Sequence, residues 1–114
     1  MTLAETYSWI FYAVGLSSQE GPAKASAIEQ VADGINHAIP TQKELQRSLS
    51  WCVTNELLLK EGKAYILSQS GKHLLKVSSD NTGTTMGVWQ NIEKYFSEKG
   101  VDNTENVNPA TLTT

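Results

Sequence analysis

The sequence predicts a mainly α fold with a small β-hairpin. Two Thr-x-x-Glu boxes, Thr2 to Glu5 and Thr41 to Glu44, each open a stretch with apolar residues at helical spacing. Two short apolar runs, within residues 57–60 and 63–67, enclose Glu61-Gly62, the pattern of a hairpin turn. The 114 residues fit a single domain and suffice to bury a core without disulfides or metals. That domain is expected over residues 1–100. Its core spans about 23–77, flanked by N- and C-terminal helices at 2–15 and 85–99, and 101–114 form a disordered tail.

The first helix starts at the Thr2 box and stops at Gly15. Leu3, Tyr7, Ile10, Phe11 and Val14 share one stripe, while Trp9 and Tyr12 lie opposite, so apolar groups wrap most of it. Such a helix is usually buried on more than one side. Residues 15–22 form a loop, and Pro22 stands near the next start. Helix two is expected from Ala23 to His37, with Ile28, Val31, Ala32, Ile35 and Ile39 inward and Gln30, Asp33 and His37 outward. Pro40 ends that segment.

Helix three follows from the Thr41 box. Leu45, Ser48, Leu49, Cys52 and Val53 face inward; Lys43, Arg47, Ser50, Trp51 and Thr54 face outward. Asn55 tolerates the left-handed conformation that closes a helix. After the hairpin, Ser68 can cap a fourth helix with Leu74, Leu75 and Val77 inside. Residues 78–84 link it to a fifth helix, 85–99, striped by Val88, Trp89, Ile92, Tyr95 and Phe96 and ended by Gly100. The tail has no base and no aromatic residue.

The formal net charge is −3, yet it is unevenly spread: residues 1–40 carry −3, residues 41–76 carry +3 and residues 77–114 carry −3. A local basic field steers polyanions better than the total charge does. The single cysteine, Cys52, excludes an intramolecular disulfide and any multi-cysteine metal site. No apolar run of about 18 residues and no signal peptide are visible, so the expectation is a cytoplasmic protein without a membrane partner. The phosphate-binding loop, dinucleotide, zinc-protease and nucleophile-elbow motifs are absent, and neither an enzyme nor a cofactor is expected.

Two helices joined by a turn of about four residues, then a hairpin, follow the order of a helix-turn-helix unit with a wing. Over residues 23–75 the chain resembles a winged helix-turn-helix domain. Leu57-Leu58 and Tyr65-Ile66-Leu67-Ser68-Gln69-Ser70-Gly71 resemble the G-L-I … Y-x-L-T-x-x-G ending common to MarR-like and PadR-like regulators. Glu56 departs from the small residue that usually precedes the leucines, and Ser68 replaces Thr. Residues 33–41 with Glu44-Leu45 are similar to a segment of an uncharacterised bacterial group of small winged-helix-like proteins, which brings no activity with it.

The resemblance implies a DNA-binding transcriptional regulator, with helix three in the major groove and the wing on the backbone. Carried over residue by residue, Gln42, Lys43, Gln46, Arg47 and Ser50 lie at or near the groove. Lys60 and Lys63 sit on the wing, and Lys24 can reach phosphate. Arg and Gln read guanine and adenine edges, whereas Lys neutralises phosphate. The alternative is a winged-helix interaction module without DNA, suggested by the acidic total and by Trp51, which either marks a partner surface or is covered by a neighbouring element. The aromatic residues of helices one and five either cap a monomer's core or, with Trp9 and Tyr12, project into a second subunit. The expectation is a homodimer. Asp33 and His37, four apart, are too few for a metal site and suit a local ion pair. Cys52 is read as a small core hydrophobe.

Overall fold

The computed structural model describes residues 1–102. The order of elements is α1 (Leu3–Ser17), β1 (Ala23–Lys24), α2 (Ala25–Asn36), α3 (Gln42–Thr54), β2 (Leu58–Glu61), β3 (Ala64–Leu67), α4 (Gln69–Asp80) and α5 (Thr85–Glu98). The fold is mainly helical, with a small antiparallel sheet in the order β1-β3-β2. Among the described residues no helix is long and apolar enough to cross a membrane.

Both capping boxes form. Thr2 accepts from the Glu5 N–H (3.1 Å) and the Glu5 carboxylate accepts from the Thr2 N–H (3.0 Å). A further carboxylate comes from the far end of the chain: Asp102 Oδ1 accepts from the N–H groups of Leu3 (2.7 Å) and Ala4 (3.2 Å). First-turn N–H groups have no partner inside a helix, and an anion there is favoured by the helix dipole, an effect of about 1 kcal/mol. Val101 is only 1% exposed. Val101 and Asp102 therefore belong to the packed domain and not to the tail expected from 101. The expectation for 103–114 lies outside the described residues. Burial, then the nearby Glu5 and Asp102 carboxylates, push the Glu93 carboxyl above its usual range.

α1 runs through the middle of the molecule, buried without interruption from Ala4 to Gly15 except at half-buried Glu5. α2, α3 and α5 pack around it, and β3 and α4 meet its C-terminal end. The helix does not stop at Gly15. That glycine instead lets α4 close in, because a Cβ there would come within 2.7 Å of Leu75 Cδ2.

The sheet has one strand more than the expected hairpin. Ala23 and Lys24 pair with Tyr65 and Ala64 on β3, which moves the start of the second helix from Ala23 to Ala25. In the hairpin Leu58 pairs with Leu67 and Glu61 with Ala64, leaving Gly62-Lys63 as a two-residue loop. Gly62 adopts the positive φ (65°) that such loops need.

The turn leaving α3 also differs by one residue. Asn55 has φ −92°, and the left-handed residue is Glu56, φ 62°. This is the position where the regulators' pattern has a small residue, and the backbone supplies the reason: a side chain here costs roughly 1–2 kcal/mol that glycine avoids. Glu56→Gly is expected to raise stability by about 0.5–1 kcal/mol, net of glycine's greater unfolded-state entropy. Urea unfolding checks this as a higher midpoint at unchanged slope.

Two apolar residues expected inside lie outside. Ile39 is 69% exposed, because α2 ends at Asn36 and His37 turns the chain left-handed, φ 55°. Val77 is 49% exposed, since the buried stripe of α4 runs through Gly71, Leu74 and Ser78.

Candidate nucleic-acid interface

The turn between α2 and α3 is set locally. The His37 N–H donates to the Asp33 carbonyl (2.6 Å), closing α2, and Pro40 is buried beneath the turn. Thr41 accepts from the Glu44 N–H (3.0 Å), and Glu44 accepts from the Thr41 N–H (2.9 Å), so α3 starts at once. Leu45, Ser48, Leu49 and Cys52 are buried on its inner side. Cys52 is 0% exposed, and burial pushes its thiol far above the usual range, which keeps it protonated and unreactive. Ser48 Oγ is the one buried side-chain polar atom without a hydrogen-bond partner among the described residues. Asp33 and His37 are exposed, and no cluster of three or more metal-ligating side chains exists among the described residues.

The other side of α3 presents Gln42, Lys43, Gln46, Arg47 and Ser50, all exposed. Positions 43, 46, 47, 50 and 54 follow helical spacing, so they form one continuous stripe. At its start the Gln42 amide donates to Glu29 Oε1 (3.3 Å), linking α3 to α2. Further along, α3 and the hairpin enclose a groove of about 210 Å³ lined by Gln46, Ser50, Val53, Thr54, Lys60 and Tyr65. Lys60 Nζ stands 5.9 Å from the Tyr65 ring centre, a distance that holds the cation at the groove's edge. Three of the expected residues, Gln46, Ser50 and Lys60, are thus brought to one groove.

The others surround it. Lys63 occupies the hairpin loop, and Gln42 and Lys43 lie at the opposite end of α3. Lys24 is in β1, across β3 from β2, where it faces Ala64 and gives no side-chain cap to α2. Tyr65 is a groove residue that sequence reasoning misses. Its signal lies in the hairpin register: a two-residue loop at 62–63 places Tyr65 beside Lys60.

The aromatic residues are placed differently from the expectation. Trp9 is 1% exposed and donates its indole N–H to the Ala32 carbonyl (2.8 Å); Tyr12 is 6% exposed. Neither reaches a second subunit, because α2 and α5 of the same chain cover them. Trp89 shares its N–H between Ser8 Oγ (3.0 Å) and the Glu5 carbonyl (3.1 Å). Trp51 is half-buried, with ring centres 4.9 Å from Phe96 and 5.7 Å from Tyr7. Helices one and five therefore cap a core within one chain, and Trp9 and Tyr12 of α1 are buried in it.

Comparison of the chain with protein-family models, curated proteins and solved structures finds no match.

Proposed function

We propose that the protein is a winged helix-turn-helix regulator that binds duplex DNA, with α2 and α3 as the helix-turn-helix and β2–β3 as the wing. The observation that carries this reading is the shared groove of α3 and the hairpin, where Gln46 and Ser50 stand beside Lys60. A helix and a wing that form one surface can place side chains on base edges and cations on the flanking phosphates together. The three-stranded sheet supports it further, because β1 ties the hairpin to the start of α2. In this reading Gln46 meets bases, Gln42 and Ser50 lie at the groove's edge, and Lys43, Arg47, Lys60, Lys63 and Lys24 meet phosphate. The homodimer is carried forward through α5 alone, whose Gln90, Lys94 and Glu98 stay exposed.

Fluorescence anisotropy with a labelled duplex tests the reading. Binding is expected at about 50 mM salt and falls as salt rises, with a log–log slope near −4 if about four to five phosphates are neutralised. Absence of binding at that salt overturns it. The second reading, an interaction module free of nucleic acid, is favoured by the net charge of −3 and predicts that absence.

A further inference from the structure

A second depression on the α3 side is larger than the groove shared with the hairpin. It has a volume of about 560 Å³ and is lined by Tyr7, Gln46, Arg47, Ser50, Trp51 and Thr54. That size falls within the range of small-ligand pockets. Its aromatic floor is Trp51, half-buried and packed against Phe96 and Tyr7. Its rim carries a guanidinium, an amide and two hydroxyls, so it offers a cation with both donors and acceptors. Gln46 and Ser50 also line the groove beside Lys60, which makes the depression and the duplex surface neighbours along α3.

We infer that this depression takes one unpaired nucleobase, so that the preferred nucleic acid is a duplex carrying an unpaired nucleotide; the inference rests on the duplex reading. Bases within a stack present only their edges in a groove and cannot stack on Trp51. An unstacked base has a free π-face for Trp51, edge groups for Gln46, Ser50 and Thr54, and an adjacent phosphate for Arg47. An aromatic protein side chain would use the floor alone, whereas a nucleotide also meets Gln46, Ser50 and Thr54 at the rim. Stacking of one base on an aromatic side chain amounts to roughly five- to a hundredfold in affinity.

The tryptophans provide the readout. Trp9 and Trp89 are buried, at 1% and 6% exposure, so quenching by a bound base reports Trp51. The wild-type protein is titrated with a fully paired duplex and with the same duplex carrying a central one-nucleotide bulge, following both anisotropy and tryptophan emission. The bulged duplex is expected to bind about tenfold more tightly and to quench Trp51, while the paired duplex leaves emission nearly unchanged. Trp51→Leu, which keeps an apolar side chain against Phe96 and Tyr7 but has no π-system, is expected to bring the affinity ratio close to one. Equal affinity and equal emission for the two duplexes overturn the inference and leave the duplex reading standing. Failure to bind either duplex overturns both. Should Trp51→Leu fail to fold, the wild-type emission comparison decides alone.

Discussion

Gly71→Ala is expected to be the most damaging small substitution in the protein. A Cβ at residue 71 would overlap the Leu57 carbonyl oxygen, a backbone atom that has no rotamer to escape into. That oxygen already accepts the Ser68 N–H (3.1 Å), which joins the end of β3 to the start of β2. Ser68 in turn donates its hydroxyl to the Glu56 carbonyl (2.6 Å) and accepts from the Gly71 N–H (3.0 Å). One extra methyl therefore pushes apart the point where α3, both hairpin strands and α4 meet. Overpacking in a well-packed interior costs roughly 1–3 kcal/mol, and the loss of linked hydrogen bonds adds about 1 kcal/mol each. About 3 kcal/mol lowers the melting temperature of a domain this size by roughly 10–20 °C. Thermal unfolding followed by circular dichroism measures it, and a shift below a few degrees would show that Leu57 moves aside freely. Gly62→Ala is the contrast, since a Cβ there would meet nothing within 4 Å and only the positive φ is strained.

The same junction shows what a sequence can and cannot disclose. Tyr65-x-Leu67-Ser68-x-x-Gly71 is legible as a motif through its local part, the Ser68 cap on the Gly71 N–H three residues on, whereas the contacts of Ser68 with Glu56 and Leu57 close only across the hairpin. The capping boxes at Thr2 and Thr41 are legible for the same reason: each is closed between residues three apart. β1 is not, since two residues have no periodicity and Ala23-Lys24 is a strand only because β3 offers them an edge. Asp102 is not, because its partners are 99 and 98 positions away and no spacing rule connects them. Trp9 and Tyr12 mark the subtler failure. Apolar wrapping correctly identifies α1 as buried on several sides, but hydrophobicity has no address. The same pattern suits a second subunit or the chain's own α2 and α5, and packing within the chain wins. For the candidate site, the exposed stripe of α3 follows from helical spacing alone, whereas its joining to Lys60 requires the hairpin register and the angle of the wing.

Reversing two charges, Arg47→Glu with Lys63→Glu, is expected to abolish duplex binding. Each substitution changes the local charge by two units, one on α3 and one in the hairpin loop, moving the net charge from −3 to −7. Every phosphate left without its cation takes about one unit from the log–log salt slope, and the introduced carboxylates add repulsion at the points of closest approach. At about 50 mM salt the combined loss amounts to at least about 10²-fold in affinity. Both residues are exposed, so the fold should keep its stability within about 0.5 kcal/mol. The decisive comparison is Lys72→Glu with Lys76→Glu, which makes the same change in net charge on α4. If location governs binding, this second pair costs less than about fivefold, the part owed to long-range repulsion and screened by added salt. Equal losses from the two pairs would mean that only the total matters and would remove α3 and the hairpin from the interface. A net charge of −3 is compatible with binding a polyanion only under the first outcome, in which the cations of α3 and the hairpin, rather than the total, set the field at the binding surface.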